Sequence, residues 1–213
     1  MKKLFVVVLI LGLYSTSQAQ FIKGLGIKVG GTASNQKWEY APSSPISLNP
    51  DTKIGITVGA FAEFLNLPFI SLIGEVNYVE KGMQMDVLVT GVNDPGGAVE
   101  ELWKAGFNYL NLSLLAKVRL DGIIFTPYLL AGPKVDIEIN RSGKLITAGS
   151  IFNDFKKNRI GFKAGIGTEV KLFKITFLAE VLYDADLGTL YEGGLLKVTS
   201  SAVDFRTGVF INL

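Results

Sequence analysis

The 213-residue chain has no cysteine and no histidine. The first absence excludes disulfides, thiolate metal sites and a cysteine nucleophile. The second removes the commonest general base and the commonest metal ligand. Every triad that needs either residue is gone, so an acid–base centre would have to be built from carboxylates alone. Charge is scarce as well: Asp, Glu, Lys and Arg make up 19% of the chain, the net charge is +2, and no basic cluster occurs. No nucleic-acid partner is therefore expected. Apolar residues reach 48%, yet no internal run offers the roughly 18 apolar residues of a membrane-crossing helix.

One short apolar run does stand at the start, in MKKLFVVVLILGLYSTSQAQ. Lys2 and Lys3 precede it, Leu4 to Leu13 form a core too short to span a bilayer, and Ser17 and Ala19 are small residues at the spacing a signal peptidase reads. Cleavage is expected between Ala19 and Gln20, giving a signal peptide over 1–19 and one exported domain over 20–213. A buried N-terminal strand or helix is the other reading of the same run.

The rest of the apolar content alternates with polar or small residues. In YLNLSLLAKVRL (109–120), Leu110, Leu112, Leu114, Ala116, Val118 and Leu120 fall on every second position, the period of a strand with one apolar face. Seven other segments do the same. They carry Leu25 to Val29, Ile54 to Phe64, Leu72 to Tyr78, Leu129 to Ile139, Ile160 to Leu172 (with Ile166), Ile175 to Tyr183 (with Phe177 and Val181), and Phe205 to Leu213 (with Val209). Each is about as long as the 9–11 residues with which a tilted strand crosses a bilayer, or longer. Their connections alternate in length. NLPF (66–69), DGII (121–124) and the bend near Phe173 are short, whereas 36–52, 82–106, 140–158 and 186–202 read as long loops. Short turns on one side and long loops on the other predict an all-β fold, an eight-stranded antiparallel up-and-down transmembrane β-barrel with both termini on the short-turn, periplasmic side.

Alternation alone suits a lipocalin-like soluble barrel equally well; the opposite face decides. It holds Gly24, Gly26, Gly30, Gly132, Gly161, Gly165 and Gly208, and among them Glu63, Glu75, Lys117, Arg119, Lys163, Glu169, Glu180 and Arg206. Glycine weakens a water-facing strand, but a lumen only eight strands wide needs small residues. Acids and bases in near balance fit mutual pairing in a confined space. The apolar phase, with Leu110, Leu112, Leu114, Val118, Ile166, Phe177, Val181 and Val209, is then expected to face lipid. Phe64, Phe69, Phe107, Tyr109, Phe125, Tyr128 and Phe173, near predicted strand ends, are candidates for interfacial girdles. Strands favour aromatics in any case.

Four stretches in order carry a resemblance: YLNLSLLAKVRL (109–120), TPYLLAGPKVDIEI (126–139), RIGFKAGIGTEVKL (159–172) and ITFLAEVLYDADLG (175–188). Together they resemble the PorT-like family of Gram-negative outer-membrane β-barrels, with Ser113 where that family usually has proline. The resemblance implies an eight-stranded barrel in the outer membrane and no single activity; the founding member is linked to protein secretion.

The lumen carboxylates read either as a structural ion-pair plug or as a proton or ion path. Asp184 and Asp186 read as a solvated strand end or a cation pair, and NDPGG (93–97) as a tight hairpin turn. KLITAGSIFNDFKKN (144–158) has no clear period, and its Phe152 and Phe155 fit packing on the barrel mouth. No cofactor and no metal are expected. The expected protein is a non-enzymatic outer-membrane barrel bathed in outer-membrane lipid, whose loops bind an envelope protein or extracellular ligand. A periplasmic lipid carrier, a narrow ion-conducting pore and a carboxylate hydrolase are the alternatives. N-terminal sequencing of the exported protein is expected to begin at Gln20.

Overall fold

The computed structural model describes residues 22–213 except 41–46, 49, 66, 68, 92–93, 121, 123–124, 149 and 195. The cleavage site at Ala19 and Gln20, with the whole predicted signal peptide, lies outside the described residues. Eight long strands form the wall: β1 (Ile22–Tyr40), β3 (Asp51–Phe64), β4 (Ile70–Gly91), β5 (Asp94–Arg119), β6 (Phe125–Ser142), β7 (Asn158–Leu172), β8 (Ile175–Asp186) and β10 (Leu196–Asn212). Two short strands, β2 (Ser47–Leu48) and β9 (Tyr191–Gly193), flank them at one end. Each long strand pairs antiparallel with the next, and β1 also pairs with β10 from Gly24–Asn212 to Tyr40–Leu196. The sheet is a ring of eight, in up-and-down order.

The alternation in the sequence becomes the inside and outside of that ring. On β5, Leu112, Leu114, Ala116 and Val118 are exposed on the outer surface, whereas Asn111, Ser113, Lys117 and Arg119 are buried inside. The seam needs glycine. A Cβ built on Gly30 would collide with the carbonyl oxygen of Phe205 across the β1–β10 junction, while one on the neighbouring Gly31 meets only the Gly55 carbonyl at 3.8 Å.

The two ends differ, but not as the sequence suggested. The short-turn end matches: Leu172 pairs with Ile175, leaving Phe173 and Lys174 as a two-residue turn, with Phe173 at φ 57° and 98% exposed. At the opposite end most of the expected loops are strand. Nearly all of 82–106 belongs to the β4–β5 hairpin, whose last pair is Gly91 with Asp94, so the hairpin tip falls where NDPGG placed it; Asn93 lies outside the described residues, and Asp94–Gly97 are strand, with a register shift that leaves Pro95–Gly97 opposite no partner. Most of 186–202 belongs to β9 and β10. These segments pair with one another, so their backbone needs neither lipid nor core to be satisfied. The stretch without a period forms a helix, α1 (Lys144–Ala148), and a 3-10 turn (Ser150–Asp154) that folds over the barrel mouth.

Three of the seven proposed girdle aromatics point inward. Phe107, Tyr109 and Tyr128 are about 1% exposed, whereas Phe69, Phe125 and Phe173 stand outside at the short-turn end. All three inward rings share the phase of the lumen charges, and position near a strand end did not outweigh phase.

Gly30→Ala is expected to cost about 1–3 kcal/mol of stability, the range for overpacking a tight site. Gly31→Ala is expected to stay within about 0.5 kcal/mol of wild type. Urea titration of the heat-modifiable folded band on gels measures both.

Candidate functional site

The lumen is the most densely functionalised part of the molecule, and its chemistry is stacked in levels along the barrel axis. At the short-turn end, Lys117 Nζ lies 2.7 Å from Glu169 Oε2 and 3.3 Å from Glu63 Oε2. Arg119 pairs with Glu63 and, through Nε at 3.2 Å, with Glu169; its Nη2 donates to Ser71 Oγ at 3.1 Å. Lys23 completes the group at 2.9 Å from Glu63.

Above it sits an apolar level: Phe61, Ile73, Leu115, Tyr128, Leu130, Leu178, Leu182 and Phe210, with Phe61 and Phe210 stacked at 5.7 Å. These side chains occupy the inward phase, so the filling is not glycine and ions alone. Leu115 beside Leu114 in the sequence signals it, since two leucines in a row must face opposite ways in a strand.

The next level is a compact four-membered ionic group. Glu75 meets Lys28 at 2.6 Å and Arg206 Nη1 at 2.9 Å. Glu180 meets Lys28 at 2.9 Å and Arg206 Nη2 at 2.6 Å, and accepts the Tyr128 hydroxyl at 2.9 Å. Lys28 also stands over the Phe61 ring, 4.3 Å from its centroid.

A third ionic level lies nearer the mouth. Lys81 bridges Asp136 at 2.9 Å and Asp184 at 2.8 Å; Lys134 reaches Asp136 and Asp186 at 2.6 Å each, and also Asp184. Arg159 pairs with Asp186, and Lys163 lies 3.4 Å from Asp204, which accepts the Thr32 hydroxyl at 2.8 Å. Asp136, Asp184 and Asp186 are close enough to share a cation. Three bases already stand among them, so the geometry makes a salt-bridge knot; of the strand end expected to be solvated, Asp184 is buried and Asp186 half-buried, its carboxylate held by Lys134 and Arg159.

A second apolar level closes the mouth. Met83, Ala105, Phe107, Tyr109 and Val198 from the wall, with Leu190 from the bend before β9, meet Phe152 and Phe155 from the cap, and Phe107 and Phe155 stack at 5.8 Å. Arg159 stands over the Tyr109 ring at 4.2 Å. Outside the wall, the Glu101 carboxylate accepts from Lys144 of α1 at 2.7 Å and from the Trp103 indole N–H at 3.0 Å. Those two bonds, Lys144 first, hold the Glu101 carboxyl below its usual range. The tie from cap to β5 is thus present at neutral pH and is lost as pH falls through that depressed value.

All eight sequence-derived lumen residues are buried inside. Glu63, Lys117, Arg119 and Glu169 come together at the turn end, Glu75, Glu180 and Arg206 in the middle, and Lys163 nearer the mouth. The sequence reading missed Lys28, Lys81, Lys134, Asp136, Arg159 and Asp204. Each shares a strand phase with a residue it did name or with a lumen glycine, so extending the phase by one to three positions would have found them. Of the eight residues expected outside, Leu112, Leu114, Val118, Ile166, Phe177 and Val181 are exposed, while Leu110 and Val209 are half-buried on the outward phase.

Removing one member of a buried ionic group typically costs about 3–5 kcal/mol, while removing a matched pair costs much less. Glu75→Leu is therefore expected to be strongly destabilising. Glu75→Leu with Arg206→Met is expected to recover much of the loss, because Lys28 and Glu180 remain as a neutral pair. Urea midpoints of the three proteins check it.

A sequence model of the outer membrane protein beta-barrel domain family matches residues 18–189. No curated protein sequence matches the chain. Among solved structures, Neisserial surface protein A aligns over 88% of this chain and 97% of its own at 11% identity and a TM-score of 0.47. Ail of Yersinia pestis, solved with the heparin analogue sucrose octasulfate, aligns over 87% and 99% at 14% identity and a TM-score of 0.35. The N-terminal β-barrel domain of Pseudomonas aeruginosa OprF aligns over 88% and 99% at 14% identity and a TM-score of 0.34.

Proposed function

Because the chain belongs to the outer membrane protein beta-barrel domain family and is located in the outer membrane, we propose that it is a closed, non-enzymatic barrel that presents its mouth-side structures to a macromolecular partner. The apolar outer face meets outer-membrane lipid, and the lumen is a structural plug. The observation that carries this reading is the alternation of ionic and apolar levels across the lumen. A conducting pathway needs a continuous wet or titratable route, and the Phe61–Phe210 level interrupts one at one end as the Phe152–Phe155 level does at the other. A soluble lipid carrier would need the reverse arrangement, with apolar side chains lining the interior and charge outside.

Partner binding is supported by the β4–β5 ribbon. β3 pairing with β4 ends at Gln84, and β6 pairing with β5 ends at Gly106, yet the two strands run on together to Gly91 and Asp94. A free two-stranded ribbon is marginal in water. This one also leaves Leu88, Val99 and Leu102 exposed, at 71%, 62% and 47%. Over 85–103 it carries Asp86, Asp94, Glu100 and Glu101, the last paired with Lys144 of the cap, and no lysine or arginine of its own. Such a surface suits an envelope or extracellular protein with an apolar, basic face. A role in secretion or envelope assembly follows from the PorT-like resemblance.

In planar bilayers the purified protein is expected to show no steady open-channel conductance; large stable steps would sink the plugged lumen. A photo-crosslinker at Leu88 in intact cells is expected to give one discrete adduct that the same group at Leu129, within the wall, does not. Identical patterns at both positions would sink the ribbon as the docking element. Replacing Glu63, Glu75 or Glu180 by alanine is expected to alter stability alone.

A further inference from the structure

A cavity of about 340 Å³ opens at the mouth between the rim of the wall and the cap, lined by Trp38 and Tyr40 of β1, Pro50, Asp51 of β3, Met83 and Met85 of β4, Leu145 of α1 and Phe152. We propose that it binds a small organic cation, a molecule with an aromatic or branched apolar body and one ammonium group. The volume lies at the small end of ligand sites, which are mostly apolar with a few placed polar groups. Trp38, Tyr40 and Met85 line its open side, over a buried floor of Met83 and Phe152. Trp38 and Phe152 meet edge to face, with ring centroids 5.9 Å apart and planes at 67°. Phe152 packs on Phe107 and Phe155 as well, so Trp38 and Tyr40 are the rings that offer a face. The Trp38 indole N–H is directed to Gln36 Oε1 at 3.3 Å, which fixes the ring. Aromatic faces attract cations through their quadrupole, and quaternary ammonium groups are the ligands such faces take.

The charge of the site selects the same class. Asp51 is the one ionisable residue among the eight lining ones apart from the Tyr40 phenol. It is exposed at the rim, and its carboxylate has no ion-pair partner among the described residues. Lys53, two residues along, is engaged by Glu80 at 2.5 Å, so Asp51 is left open to a ligand. An anionic molecule of the same shape would meet that carboxylate and the negative ring faces together. The site adjoins the base of the ribbon, where Met85 belongs to both and pairs across the strands with Trp103.

Trp38 reports on the cavity once Trp103, the other tryptophan, is replaced in a Trp103→Phe background. In neutral maltoside micelles, benzyltrimethylammonium is expected to change Trp38 fluorescence saturably, and phenylacetate is expected to have no effect. Asp51→Asn is expected to weaken the probe about tenfold, or about 1.4 kcal/mol, and Tyr40→Ala about threefold or more. Both residues are exposed, and the heat-modifiable band checks that each variant is folded. A non-saturable response, equal affinity for phenylacetate, or an unchanged midpoint in both variants would overturn the proposal.

Discussion

In hydrocarbon a backbone N–H or C=O has no water to fall back on, so a sheet that crosses a bilayer must leave no open edge. The antiparallel junction of β1 with β10 meets that requirement, and most other features follow from it. Closing a ring with eight strands fixes a narrow lumen. A narrow lumen admits either small side chains or large ones that interlock, and the chain uses both: glycines where backbones crowd at the seam, and long bases and acids elsewhere. Charges placed in that space lose their hydration, so each must find an opposite partner within reach.

The levels of the lumen show how that condition is met. In the middle, two bases, Lys28 and Arg206, face two acids, Glu75 and Glu180. Nearer the mouth, four bases, Lys81, Lys134, Arg159 and Lys163, face four acids, Asp136, Asp184, Asp186 and Asp204. At the turn end, three bases, Lys23, Lys117 and Arg119, face two acids, Glu63 and Glu169. The surplus charge there is tolerable because Lys23 keeps contact with solvent, its side chain being 14% exposed. Such groups add little net stability over an apolar filling. Their contribution is to the choice of register, since sliding a strand by one residue would turn its bases to lipid.

Much of this was legible beforehand. Alternation over 109–120 separated inside from outside correctly at Leu112 and Lys117 because a strand has a period of two and lipid tolerates no charge in its midplane. The short turn at Phe173 could be read for the same reason, from the end of one apolar phase and the start of the next. What stayed hidden was whatever did not depend on the bilayer. The alternation of MQMDVLVTG (83–91) does read as a strand that runs on past the membrane, as β4 does to Gly91, but nothing in it marks where lipid stops or shows that β5 stays paired with it to the tip. The inward rings of Phe61, Tyr128 and Phe210 were hidden because an apolar side chain suits either face; only position in the phase tells them apart. The cap over 144–154 has a shape set by contact with Trp38 and Phe107 rather than by any local period.

The apolar level around Phe61 and Leu115 has one more consequence. Tyr128 crosses it, with its ring 4.3 Å from Lys117 Nζ and its hydroxyl on Glu180, so the turn-end and middle groups meet through a single side chain. An apolar medium weakens charge–charge interaction far less than water does. A substitution that adds or removes an ion in one group is therefore felt in the other, and Tyr128 is the side chain through which the two are joined.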